Sequence, residues 1–306
     1  MPSDKLTLLF PGQGAHCNGM LDTHAATRDF NELYSIVCDV LGYSLLERTA
    51  NDPNVVNTNL ASSMFTVLAS CLAWKCFNEQ APDFVAGYSV GQLTALHVAG
   101  CFDFPELVQL VAVRAKMMDE CFRSAPGAML AVIGLPLKTV EEICARLQAE
   151  GQSIWISNIN CLGQYSLSGT PEGTAAAKVL CAQEQPKKLL DLSVAGAWHS
   201  PLLSACQAPF AVHLRNREWH NLRLPVIDNV TGDFFPDDVT QIKEQLVKHL
   251  THPVRWEAGL KRLVADGCTR FVEVGYGNVL TKFGFFIDRS AKYESFYGET
   301  KAVCVE

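Results

Sequence analysis

The sequence predicts an α/β fold: a three-layer core built on a mainly parallel sheet, with a smaller α/β unit inserted into it. Three observations lead there. Short apolar runs of strand length alternate with longer apolar-rich segments of helical length at both ends of the chain. The middle of the chain changes to a strand–helix–strand–strand–helix–strand order. Between the two, Phe84–Val98 reads as a strand, a glycine-flanked turn and a helix in direct succession.

Taken in order, Leu6–Phe10 is a short apolar strand and Asn59–Asn78 has the length and apolar content of a helix. Phe84–Ala86 is the second strand, followed by a helix over Val90–Val98. Pro105 suits the first turn of a helix over Glu106–Cys121. From Ala128 the order is strand Met129–Ile133, helix Val140–Ala149, strands Ile154–Ile159 and Gln164–Ser168, helix Glu172–Ala182 and strand Leu189–Val194. That βαββαβ series predicts a ferredoxin-like subdomain at 127–195, set within a large domain formed by 1–126 and 196–306. The chain then returns through a helix after Pro201, a strand near Pro225–Val230, helices at Ile242–Leu250 and Arg255–Asp266, and a strand at Arg270–Val274. A site is expected in the cleft between the two units.

Composition excludes several classes of function. The 306 residues can bury a substantial core, and 32 acidic against 25 basic side chains argue against nucleic-acid binding. No apolar run approaches the about 20 residues of a membrane span, and the first residues carry no signal-peptide pattern, so a cytoplasmic protein is expected. The 12 cysteines are scattered singly, with no Cys-x-x-Cys pair, which favours buried free thiols in a reducing compartment over zinc or redox chemistry. No metal is expected.

Chemistry concentrates at Gly87-Tyr88-Ser89-Val90-Gly91. A G-x-S-x-G turn between strand and helix is the nucleophile elbow of α/β-hydrolase-like sheets, where the serine projects at a helix N-terminus and small neighbours let the turn close. Ser89 is therefore the candidate nucleophile. The first strand runs into Pro11-Gly12-Gln13-Gly14, and a glycine-rich turn there offers backbone N–H groups of the kind an oxyanion hole needs. Gln13 and Val90, the residue after the serine, are the candidate donors.

These residues, with others spaced along nearly the whole chain, resemble the malonyl-CoA:acyl carrier protein transacylases and the related acyltransferases of polyketide synthases. The resemblance rests on Phe10-Pro11-Gly12-Gln13-Gly14, Gly87 to Gly91, Arg114 with Met118, and Gly127-Ala128-Met129. It continues through Asn158-Ile159-Asn160 with Gly163-Gln164, Gly196-Ala197-Trp198-His199-Ser200, Pro253-Val254-Arg255-Trp256 and Val272-Glu273-Val274-Gly275. It implies that Ser89 takes an acyl group from coenzyme A and passes it to the phosphopantetheine thiol of an acyl carrier protein. His199 would be the general base, and Arg114 would hold the free carboxylate of a malonyl group through paired charge-assisted hydrogen bonds. Met118 and Asn160 fall on positions of the family's substrate pocket, although Met117-Met118 also suits core packing and Asn160 a turn between strands.

Order alone allows Asp191 as a third catalytic member. The family instead orients its histidine with a backbone carbonyl, from a residue that is usually glutamine and is His249 here. Two further departures flank the nucleophile: Tyr88 stands where histidine is usual and Gln92 where glutamate is usual. Tyr88 would alter the polarity of the acyl pocket, and Trp198 would crowd an α-methyl branch, favouring malonyl over methylmalonyl. These departures point to polyketide or other specialised synthesis rather than general fatty acid synthesis. An editing hydrolase, a transferase of a non-malonyl acyl group on the same fold, a subunit that charges the carrier of malonate decarboxylase and a non-catalytic docking relative are the other open readings. The implied partners are malonyl-CoA and a small acidic carrier, met by basic residues such as Lys187, Lys188, Arg215 and Arg217; a monomer without a cofactor beyond the coenzyme A thioester is expected.

Overall fold

β1 (Lys5–Phe10) is buried on both faces, which is why it reads as an unbroken apolar run. Residues 5–124, 126–192, 194, 196–298 and 300–303 are described by this computed structural model. After β1 come α1 (Arg28–Leu41), α2 (Leu45–Asn51), α3 (Asn59–Cys76), β2 (Phe84–Gly87), α4 (Gly91–Val98) and α5 (Phe104–Ser124). The middle of the chain forms β3 (Ala128–Ile133), α6 (Leu137–Ala149), β4 (Ile154–Cys161), β5 (Gln164–Gly169), α7 (Pro171–Gln183) and β6 (Lys188–Leu192). It is followed by α8 (Ser204–Arg215), β7 (Val226–Ile227), α9 (Val239–His249), α10 (Trp256–Ala265), β8 (Cys268–Val274), α11 (Val279–Ile287), β9 (Lys292–Tyr297) and β10 (Thr300–Val303).

Two sheets result. The larger runs β10-β9-β8-β1-β2-β7 and is parallel except for the β9–β10 pair. Side chains alternate across it. Leu6, Leu8 and Phe10 join one apolar cluster with α1, α3 and α5, while Leu9 packs on the other face with Ile227, Trp256, Leu260 and Phe271. The smaller sheet runs β4-β5-β3-β6, antiparallel throughout, with α6 and α7 contributing Val140, Ile143, Leu147 and Ala177 to its own core. Main-chain bonds join the units: Ile159 N–H donates to Val254 O at 2.9 Å, and Val254 N–H to Ser157 O at 2.8 Å.

Several elements lie outside the sequence expectation. The first helix, α1, carries the usual signals: Thr27 accepts from Phe30 N–H as its N-cap, Gly42 closes it at φ +76°, and Phe30, Leu33, Val37 and Leu41 form the buried stripe. α2, α11, β9 and β10 complete the large unit without having been read from sequence. The strand expected to run to Val194 ends at Leu192: Val194 is not part of it, and Ser193 and Ala195 lie outside the described residues.

The cysteine expectation needs correction. Cys121 near the end of α5 and Cys206 in α8 form a disulfide, their Cα atoms 6.6 Å apart. Packing of the two helices creates that proximity across 85 residues of sequence. Cys17 and Cys76 are exposed rather than buried. Among the basic candidates, Arg217 is occupied within the fold, pairing with Glu106 at 3.0 Å and Gln109 at 2.7 Å, whereas Lys187, Lys188 and Arg215 are exposed.

Candidate active site

The elbow is tight because backbone crosses backbone there. A Cβ on Gly91 would lie 2.3 Å from Phe10 O, and one on Gly87 would lie 2.0 Å from Gly91 O, so no side chain fits at either position. Gly91 N–H donates to Tyr88 O at 2.9 Å and Gln92 N–H to Ser89 O at 3.1 Å, carrying the turn into α4. Ser89 is thereby held at φ +53°. His199 is at φ +55°, so two of the three described non-glycine residues in the left-handed region, the third being Gln185, are the two that meet here.

Ser89 Oγ and His199 Nε2 are 2.8 Å apart, and His199 Nδ1 lies 2.8 Å from His249 O. A carbonyl only accepts, so Nδ1 carries the proton and Nε2 is left to accept from the serine hydroxyl. Asp191 plays no part: it is exposed on β6 and pairs with Lys178. Burial first, then the nearby Arg114 charge, pulls His199 down to about 3, against the raising effect of the His249 carbonyl. The ring is therefore neutral at physiological pH. His249 is likewise held well below 6.5, by burial and then by the charges of His199, Arg114 and His252.

This has a consequence for stability. Both histidines bind a proton more readily in the unfolded chain, so their contribution is present above pH 6.5 and is lost as pH falls below it, for His199 down toward about 3. Each is expected to cost up to about 1.4 kcal/mol per pH unit in that window. Melting temperatures between pH 7 and pH 4.5 check it: they should fall with pH, and less steeply in a His199→Asn variant.

Arg114, on α5, is 4% exposed. Burial lowers its guanidinium to about 10, so it remains charged at neutral pH. Among the described residues no carboxylate forms an ion pair with it. Its charge acts on His199 and His249, and His199 lines a cleft of about 460 Å³.

Gln13, Tyr88, Ser89, Trp198 and His199 line that cleft, together with Asn158. Val90, Met118 and Asn160 are buried behind the lining; Met118 belongs to the main apolar core. Asn160 reaches the site through Tyr88, whose hydroxyl donates to Asn160 Oδ1 at 2.6 Å. Burial pushes that phenol up, so it stays protonated. The Tyr88 ring stands edge-on to Trp256 at 5.5 Å. Trp198 is fixed by its own carbonyl, which accepts from Ser168 Oγ at 2.7 Å.

Four polar residues, Asn59, Ser62, Asp119 and Asn229, escaped the sequence reading. Gln13 Nε2 donates to Asn59 Oδ1 at 3.0 Å and Ser62 Oγ at 2.7 Å on α3, and Asn59 Nδ2 donates in turn to Asp119 Oδ1 at 3.0 Å, pinning the glycine-rich loop. Asn229 holds the elbow, its Oδ1 accepting from Ser89 N–H at 2.9 Å. One signal was available for Asn229: it follows Val226–Ile227 at the C-terminal end of a parallel strand, the edge at which α/β sites assemble.

Residues 7–285 match the model of the acyl transferase domain. The chain belongs to the acyl transferase family. Within it, the chain is 31% identical over 295 residues to the malonyl CoA-acyl carrier protein transacylase of Bacillus subtilis (strain 168), covering 94% of this chain and 92% of that one. It is 31% identical to the transacylase of the same name from Staphylococcus aureus (strain MRSA252), covering 95% of each. Among solved structures, a type II polyketide malonyl-transacylase in complex with its acyl-carrier protein superposes with a TM-score of 0.91 at 29% identity over 96% of both chains. An acyl carrier protein S-malonyltransferase from Vibrio cholerae gives 0.88 at 29% identity over 95% of this chain and 96% of that one. The chain is an acyltransferase of the malonyl CoA-acyl carrier protein transacylase group, and its mixed α/β architecture is that of these enzymes.

Proposed function

We propose that this acyltransferase moves a malonyl group from coenzyme A to the phosphopantetheine thiol of an acyl carrier protein through an ester on Ser89. The observation that carries the reading is the relay from Ser89 Oγ through a neutral His199 to the His249 carbonyl, with the buried, charged Arg114 close by. In the first half-reaction His199 Nε2 takes the serine proton as Oγ attacks the thioester carbonyl carbon. The backbone N–H groups of Gln13 and Val90 donate to the oxyanion, and collapse expels the coenzyme A thiolate, which His199 protonates. In the second half the carrier thiol gives its proton to His199, its sulfur attacks the ester, and Ser89 leaves with that proton. Arg114 holds the malonyl carboxylate, with Tyr88, Trp198, Met118 and Asn160 shaping the pocket around it. Serine, base and backbone donors suffice, so no cofactor or metal takes part.

The architecture belongs to the same proposal: an α/β-hydrolase-like large domain at 1–126 and 196–306, and a ferredoxin-like subdomain at 127–195. The antiparallel order β4-β5-β3-β6, with a helix inside each half, supports the second assignment. Tyr88, Gln92 and His249 support service to a polyketide or other specialised pathway, and exposed Lys187, Lys188 and Arg215 offer charge to an acidic carrier.

Release of coenzyme A with and without a purified holo-carrier tests the reading. Transfer predicts malonyl on the carrier in step with coenzyme A release; free malonate formed at the same rate without carrier would make the chain an editing hydrolase instead. Trp198 supplies a second check. Trp198→Ala is expected to raise kcat/KM for methylmalonyl-CoA relative to malonyl-CoA by about ten-fold, the scale of one methyl group in a pocket.

A further inference from the structure

The nucleophile and its base are joined a second time, on the far side of the elbow from the cleft. Asn229 grips both ends of the strained turn: Oδ1 accepts from Ser89 N–H at 2.9 Å, and Nδ2 donates to Gly87 O at 2.8 Å. Its own backbone N–H donates to Gln92 Oε1 at 2.6 Å. Gln92 Nε2 lies 3.3 Å from His249 Nδ1. Since the Gln92 oxygen is already engaged by Asn229, its amide nitrogen is the end left to face His249, and Nδ1 accepts from it. The His249 proton is therefore on Nε2. From His249 the carbonyl accepts from His199 Nδ1, and His199 returns to Ser89 Oγ, each contact 2.8 Å long.

The path closes on itself. Gln92, Asn229, His249 and His199 are all buried, and none of the first three lines the cleft. The His249 ring also lies against the base, with ring centroids 4.7 Å apart and planes 31° apart. Its neutrality matters, because a charge there would oppose formation of the His199 imidazolium.

We propose that Gln92, Asn229 and the His249 side chain form one positioning circuit that fixes the strained serine turn and the orienting carbonyl in register, so that His249 serves through its ring as well as its backbone. The inference rests on the reading of Ser89 and His199 as nucleophile and base. It also explains why Ser89 N–H is not an oxyanion donor: Asn229 already holds it.

The test is the second-order rate of Ser89 labelling by a fluorophosphonate, which needs neither malonyl-CoA nor a carrier. Gln92→Met, close in shape to glutamine, and His249→Leu, which keeps the carbonyl, should each label about ten-fold more slowly than wild type, and the double variant no more slowly than about twenty-fold. His249→Gln retains a group able to accept from Gln92 and should stay within about three-fold of wild type. The KM for malonyl-CoA should not move in any of them. Wild-type labelling in His249→Leu, or single effects that multiply in the double variant, would overturn the circuit. Should His249→Leu lose its cooperative melting transition, His249→Gln decides alone, and a loss of ten-fold or more there counts against the proposal. Labelling of wild-type Ser89 without any malonyl adduct would sink the proposed function and leave the circuit standing.

Discussion

His199→Ala is expected to slow acylation of Ser89 by malonyl-CoA by about 10³-fold, with little change in the affinity for substrate. Nothing else among the described residues is placed to take the serine proton. The ring is neutral before reaction because burial and Arg114 oppose its charge, and it is oriented by a carbonyl that fixes the tautomer. Its readiness to accept a proton therefore depends on what arrives. A substrate carboxylate beside Arg114 would offset the cation that depresses His199, so the base strengthens once malonyl is bound. A rapid-quench measurement of acyl-enzyme formation checks the loss, and an acylation rate insensitive to the substitution would remove His199 from the mechanism.

Arg114→Ala is expected to lower kcat/KM for malonyl-CoA by about 10²-fold, corresponding to roughly 3 kcal/mol for a buried charge pair that loses one partner. Acetyl-CoA, with no carboxylate to place, should be spared or improved, so that preference for malonyl collapses. The sign follows from burial: a guanidinium kept charged at 4% exposure with no carboxylate partner among the described residues is costly to keep, and an anionic ligand recovers that cost. Arg114→Lys should recover only part of the malonyl preference, since an ammonium cannot bind a carboxylate through a planar fork. Competition between malonyl- and acetyl-CoA in one reaction measures the ratio directly.

What could be read from the sequence was what acts locally. The strand–turn–helix around Ser89 announces itself because its glycines answer to contacts a few residues away or at the adjoining strand end. Buried parallel strands such as β1 and β2 read as short apolar runs, and the middle unit declared its order through alternating periods. α1 was equally local, with Thr27, Gly42 and a regular apolar stripe, and was legible though unread. Contacts made across the fold were not. The Asn229 amide meets Ser89 from 140 positions away, and the Cys121–Cys206 bridge exists only because two helices pack side by side. Arg114 drew attention only through the family resemblance; its burial depends on what folds over α5. Tyr88 and Asn160 were each candidates, but nothing in the sequence paired the phenol with that amide.

The central claim, a malonyl ester on Ser89 passed onward to a carrier thiol, is tested most directly by intact-protein and peptide mass analysis after brief mixing with malonyl-CoA, followed by addition of a holo-carrier. The expected result is one malonyl adduct on the peptide containing Ser89, absent in Ser89→Ala, that disappears as malonyl-carrier forms. An adduct that decays to malonate at the same rate with or without carrier, or transfer that proceeds undiminished in Ser89→Ala, would contradict it.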